Sequence, residues 1–341
     1  MRRSLVIASL VLALVAAAYS GWWYLLAART DAGFQAWVEA RRAEGMEVSY
    51  SGHHVEGYPL LVMLVIDNPS IRNQEQVGAT SWSTDRVRAW AKPWTPHRIL
   101  VEPSLQHRLV LQRPDRRTEA DIHAEAMLGR VTVGAGGLVD AVDLSIEGAV
   151  AMVDGDDAGR VGRMVVRLDN LSALGNQQPK TLRLEVTNLI LPQLRGTPLG
   201  SRFEAVGLDA DISGIMAGDN VRHAMAGWRD SGGKAVINSF RAGWGQLAVA
   251  ASGEVDVDAA LQPRMRLDAR TTGLPETVDV LAQRGYIQSG AARAMKFALS
   301  VLGSRSTSGP RGAIDVPLAI RDQIFYLGPI GLGKVPEIAW R

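Results

Sequence analysis

The segment Arg264–Thr271, "RMRLDART", decides how the rest of the chain is read. Met265, Leu267 and Ala269 fall on one side of an extended backbone, and Arg264, Arg266, Asp268 and Arg270 on the other. Only a β-strand, whose side chains alternate with a period of two, separates these residues so cleanly. Thr118–Leu128, "TEADIHAEAML", repeats the pattern, with Ala120, Ile122, Ala124, Ala126 and Leu128 opposite Glu119, Asp121, His123 and Glu125. Similar runs cover Leu138–Val150, Arg163–Asp169, Thr181–Ile190, Phe203–Ile212, Lys234–Arg241 and Ile314–Ile320. Turn residues separate them, as in "VDGDDAG" (Val153–Gly159) and "LGNQQPK" (Leu174–Lys180). The pattern predicts a β-dominated α+β protein with a large, curved, mostly antiparallel sheet, one face wet and one dry.

Three helices are predicted to interrupt the strands. Gly218–Gly233 sets Val221, Met225 and Trp228 at helical spacing and stops at paired glycines. Leu274–Gly285 has Pro275 in its first turn, with Val278 and Leu281 inward. Gly290–Gly303 carries Ala294, Met295, Ala298 and Leu302 as its apolar stripe, and "SRSTSGPRG" after it reads as a loop.

Leu5–Ala28 is an uncharged apolar run preceded by Arg2 and Arg3. Its length suits a bilayer span, and Trp22, Trp23 and Tyr24 cluster at its distal end as an interfacial belt does. The run continues well past the small residues Ala16–Ala18, so an uncleaved signal anchor is expected in place of a cleaved signal peptide. The two arginines predict a cytoplasmic amino terminus. The expected layout is a cytoplasmic tip (1–4), a transmembrane anchor (5–28), a juxtamembrane helix (29–45) and a β-rich domain (46–341) in the periplasm of a Gram-negative bacterium. A division near Gly196–Gly200 is weighed without a firm border. In the juxtamembrane helix Phe34, Trp37 and Val38 share one face, which either rests on lipid headgroups or packs on the following domain.

The chain has 37 basic and 35 acidic residues, a net charge of +2 that implies no nucleic-acid partner. It has no cysteine, which excludes disulfides, thiolate metal sites and cysteine nucleophiles. In "SGHHVEG" (Ser51–Gly57), His54 and Glu56 share one face of an extended segment and His53 takes the other, so the adjacent pair cannot hold one ion without a bend. Asp121, His123 and Glu125 are a better ligand trio, although nothing closes the shell. His97, His107 and His223 stand alone. "VTVGAGGLV" (Val131–Val139) lacks the third glycine of a dinucleotide loop and leads into a strand, not a helix. Asp156 with Asp157, Asp209 with Asp211, and Glu254 with Asp256 and Asp258 are carboxylate sets that a glycosidase would need, yet each lies in a turn or on a strand's outer side. Trp82, Trp90 and Trp94 in "SWSTDRVRAWAKPWTP", with Trp244 and Trp340, would either line a groove or pack the core.

The chain resembles the bacterial family known as domain of unknown function 2125. The likeness lies in the amino-terminal anchor, "VEGYPLLVMLVIDNP" (Val55–Pro69), the long stretch from Gly243 to Gly285, and "VPLAIRDQIFYLGPIGLGKVPEI" (Val316–Ile338). Gln323 stands where an Asp-Gly hairpin turn is expected, which predicts a different turn type. More distantly, the layout looks like the AsmA-type envelope proteins. That resemblance implies envelope maintenance or lipid handling, with inner-membrane lipids and an amphiphile or an envelope protein as partners. No catalytic, metal or cofactor residues are predicted. The expected role is that of a non-enzymatic anchored protein whose sheet binds or guides an amphiphile or scaffolds an envelope assembly; a deep apolar groove between the sheet and the helices of 274–303 would decide for lipid over scaffold. A glycan hydrolase using Asp209 and Asp211, or a structural scaffold, is the alternative.

Overall fold

A computed structural model describes residues 2–340 apart from 76, 77, 135, 174, 217, 219, 289, 291, 294, 298 and 300–312. It is β-dominated, with twenty strands, and every pairing given below is antiparallel. The chain divides into two compact units, Met1–Gly136 with Ala151–Asp157, and Gly137–Val150 with Ala158–Arg341. No composition shift marks that division, because strands of the same amphipathic type run through it.

The first unit begins with α1 (Arg2–Ala43), 42 residues without a break. The anchor and the juxtamembrane helix, read from sequence as two segments, are thus one helix. Asp31, expected to cap the second, lies inside it, where its carboxylate accepts from Gln35 Nε2 four residues on at 2.8 Å. No proline falls in α1 to interrupt the backbone ladder. It is the one described helix long and apolar enough to cross a membrane; residues 5–18 stand exposed, whereas Trp23 near the far end of the apolar run is buried. Gly45, at φ +85°, ends it.

Ten strands follow: β1 (Met46–Ser49), β2 (Gly52–Glu56), β3 (Val62–Asp67), β4 (Ser70–Glu75), β5 (Gly78–Thr84), β6 (Arg86–Lys92), β7 (Thr95–Pro103), β8 (Gln106–Gln112), β9 (Arg117–His123) and β10 (Ala126–Val133). They form two ladders, β2-β3-β6-β7-β10 and β1-β4-β5-β8-β9. After β1 the chain supplies two strands to one ladder and the next two to the other. β3 sits between β2 and β6 with Val62, Leu64 and Val65 buried, which is why its sequence is apolar almost throughout. The continuous strand expected over Thr118–Leu128 is broken at Ala124 and Glu125. The even spacing of alanines runs unchanged across that turn, so Ala124 is buried whereas Ala126 and Leu128 are exposed.

The second unit contains most of β11 (Val139–Val153) and β12 (Asp156–Asp169), then β13 (Lys180–Ile190), β14 (Arg202–Ser213), β15 (Lys234–Trp244), β16 (Leu247–Val257), β17 (Pro263–Thr272), β18 (Ile314–Arg321), β19 (Ile324–Leu327) and β20 (Ile330–Lys334). From β12 to β20 each strand pairs with the next, a meander. α2 (Val221–Asp230) is capped by Asn220, whose side chain accepts from the His223 backbone N–H. α3 (Leu274–Gln283) has Pro275 in its first turn. In the third expected helix the described residues are helical, but it buries Ala292, Met295 and Leu299, spaced i, i+3, i+7. Ala294, Ala298, Leu302, Gly303 and the loop of 304–312 lie outside the described residues. The β18–β19 turn places Asp322 at φ +51° and Gln323 at φ +59°. Both residues being left-handed makes it the hairpin type that Asp-Gly forms, not the different type predicted.

Candidate functional site

In β17 the residues Leu267, Ala269 and Thr271 are buried and Arg264, Arg266, Asp268 and Arg270 exposed, so the sheet has two chemically distinct faces. Strand register carries the apolar face across seven strands. The central row runs Val166, Leu184, Leu208, Phe240, Ala251, Ala269, Val316, each paired with the next. One flanking row runs Leu168, Leu182, Ala210, Ile237, Gly253, Leu267, Leu318, and the other Met164, Val186, Val206, Ala242, Val249, Thr271, Ile314. At strand spacings near 4.8 Å and a two-residue repeat near 6.7 Å, the three rows cover about 29 by 13 Å.

Among the described residues, helices cover only the margins of this surface. α3 and the described residues of 290–299 pack on Ile314, Val316 and Leu327. α2 packs Trp228 and Met225 with Ile212, Val257 and Leu261. The middle cluster, built on Ala251, Leu267 and Ala269 with Ile237, Phe240 and Val249, consists of strand residues alone. Val166, Leu184, Leu208 and Phe240 are only half-buried.

The opposite face is laced with ion pairs. Arg167 meets Asp143 at 2.5 Å, Arg183 lies between Asp209 at 3.0 Å and Asp169 at 3.5 Å, and Lys234 meets Glu254 at 2.8 Å. Arg264 meets Asp256 at 2.7 Å, and Arg270 meets Asp315 at 2.7 Å. A shallow depression of about 610 Å³ lies here, with Ala250 and Ser252 as its small residues and Arg241, Asp268 and the Arg270–Asp315 pair around them.

The sequence-predicted site residues scatter. His53 bonds Asp31 of α1 at 2.9 Å and lies against Phe34 and Tyr50. His54 points to Glu56 at 3.5 Å, so the two histidines do take opposite faces. Phe34 and buried Val38 pack on the strands, resolving the juxtamembrane question in favour of the domain. Asp121, His123 and Glu125 are all exposed, with Asp121 paired to Arg108 at 2.9 Å. No group of three or more His, Cys, Asp or Glu among the described residues is placed to hold a metal ion.

Asp209 and Asp211 share Asn238, whose amide donates to them at 3.3 and 2.8 Å. That bond and one from Thr181 hold the Asp211 carboxyl below its usual range. Glu254 is held down in the same sense by Lys234, and Asp258 accepts the Ala260 and Gln262 backbone N–H groups in a turn. The tryptophans share no groove. Trp82 stacks on His107, Trp90 sits on β6, Trp94 is exposed in the β6–β7 turn, Trp244 stacks on Phe203, and Trp340 bonds the Leu261 carbonyl at 2.6 Å.

The burial of Lys180 and of His107 was not read from the sequence. Lys180 is buried with its ammonium on the Asn176 and Gly214 carbonyls at 2.7 and 2.9 Å, and burial pushes its pKa down. His107 is buried, which lowers its pKa. Ser104's backbone pulls weakly the other way without meeting hydrogen-bond geometry, and both ring nitrogens lack a partner. Each sits in a strand whose alternation looks ordinary, and burial on both faces has no signature at a single position.

Residues 23–336 match the family described as uncharacterized protein conserved in bacteria, domain of unknown function 2125, and the chain belongs to that family. A search of curated proteins and one of solved structures each found no match.

Proposed function

We propose that this is a non-enzymatic, single-pass anchored envelope protein whose dry sheet face receives the acyl chains of a membrane amphiphile. The observation that carries this is the three-row apolar surface, which the described helix residues cover at its margins while the described cluster in its middle is built of strand residues. The part of this surface that remains half-buried, around Val166, Leu184, Leu208 and Phe240, is where extended acyl chains would lie, and burying it against them yields roughly 25 cal/mol per Å² of apolar area. The length and apolarity of α1 support a bilayer anchor, and Arg2 and Arg3 before it support a periplasmic location for the rest. The arrangement of one span followed by a long amphipathic sheet is similar to that of AsmA-type envelope proteins, which supports lipid handling over glycan hydrolysis. Asp211, with its carboxyl already stabilised as the anion, offers no general acid to the hydrolase reading.

The test is a photoreactive phenylalanine analogue placed at Phe240 on the dry face, or at Arg183 on the wet face, of the full chain in cells. Lipid adducts are expected at 240 and not at 183. Absence of lipid at 240, with the chain folded and membrane-bound, refutes the reading.

A further inference from the structure

The distal end of the apolar stretch of α1 is tied to two hairpin tips of the first unit. Trp23 Nε1 donates to the Leu61 carbonyl at 2.7 Å, and Trp22 Nε1 donates to the Pro93 carbonyl at 3.2 Å. The Tyr19 hydroxyl donates to the Pro59 carbonyl, and Ser20 Oγ lies 2.9 Å from the Tyr58 hydroxyl. Tyr58 also stacks on Tyr24 and meets Trp23 edge-on, with centroids 6.1 and 5.4 Å apart. These bonds set the height of both tips along the helix.

That height is where a bilayer ends. From Leu5, the first residue of the uncharged run, to Trp22 the helix rises about 26 Å, against a hydrocarbon thickness of about 30 Å. The tips therefore lie at the boundary between acyl chains and headgroups, not above it. Their exposed residues have the chemistry of that layer. Leu60 is 64% and Trp94 59% exposed, large apolar groups left in the open beside the span, and Lys92 places its ammonium 5.9 Å from the Trp94 ring, within reach of lipid phosphates. Trp and Tyr, apolar bodies with a polar end, favour this layer.

We propose that the β2–β3 tip (Tyr58–Leu60) and the β6–β7 tip (Pro93–Trp94) are inserted into the outer boundary of the bilayer that α1 spans, so that the first unit holds the membrane at three places. This rests on α1 being a span, and the experiment separates the two. The natural chain has no cysteine, so single cysteines at Leu12, Leu60 or Trp94 take a nitroxide label without further changes. The labelled full-length protein is placed in vesicles of phosphatidylethanolamine and phosphatidylglycerol. Accessibility to oxygen, which partitions into lipid, is compared with accessibility to a water-soluble nickel chelate. All three labels are expected to favour oxygen several-fold. Lipid exposure at 12 with nickel access at 60 and 94 overturns the proposal and leaves the span standing. Nickel access at 12 overturns both.

Discussion

His53 bonds the Asp31 carboxylate of α1 at 2.9 Å, while His54, the next residue, turns to the exposed carboxylate of Glu56 on the other side of the strand. Two adjacent residues of one type thus have unrelated jobs. His53→Ala removes a bond to a carboxylate and a ring seated between Phe34 and Tyr50, at a cost of about 1–2 kcal/mol. His54→Ala is expected to stay within about 0.5 kcal/mol, as surface changes do. Thermal unfolding of the two full-length variants side by side checks the difference, and equal losses would contradict the assignment.

Gly57 begins the turn between β2 and β3 at φ +102°, and a Cβ there would lie 2.8 Å from the Leu61 carbonyl oxygen. That carbonyl is the one that receives the Trp23 indole. Gly57→Ala combines a disfavoured backbone with a clash, so a loss of about 2 kcal/mol or more is expected. Gly52→Ala, whose Cβ meets nothing within 4 Å, serves as the control. Faster proteolysis of the loop at residues 58–61 in the first variant alone is the readout.

Asn238 and Thr181 hold the Asp211 carboxyl below its ordinary value, so their contribution is present above that value and lost as pH falls through the lower folded one. Asn238→Ala weakens the preference for the anion and moves the folded pKa back up. Acid unfolding, followed by tryptophan fluorescence, should then begin at a higher pH, with a change at neutral pH of at most about 1 kcal/mol. An unchanged acid midpoint would show that these bonds do not stabilise the fold.

At the β18–β19 turn, Gln323 occupies φ +59°, a region that disfavours side chains by about 1–2 kcal/mol. Gln323→Gly should raise stability by about 1 kcal/mol, once the greater freedom of glycine in the unfolded chain is deducted. Chemical denaturation reads the midpoint, and a decrease would mean that the side chain contributes more than the strain it carries.

The sheet was legible because Arg264–Thr271 and its neighbours must satisfy two solvents at once, and the period of two records that demand at every residue. From Thr181 to Ile212 the predicted strands fall within one residue of those observed. The same logic failed at Thr118–Leu128, since a turn that preserves the count leaves alternation undisturbed while exchanging the faces. The extent of helix cover on the dry face was hidden for a related reason. Alternation says that a strand has an apolar side, but whether helices cover it depends on where the helices between the strands pack, which no strand's own pattern records. Likewise, nothing local to Trp22 or Trp23 announces that their partners are Pro93 and Leu61.

The unbroken course of α1 has a mechanical meaning. Its 42 residues extend about 63 Å, roughly twice the hydrocarbon thickness of a bilayer, so with the proposed span in place about half the helix would be a stiff lever standing clear of the lipid. With Val38 seated in the strands, Arg42 bonded to the Val48 carbonyl and no hinge between span and sheet, the lever has no slack at its far end. If α1 spans as proposed, a thinner or thicker bilayer that changes its tilt would swing the strands packed on α1 by the same angle.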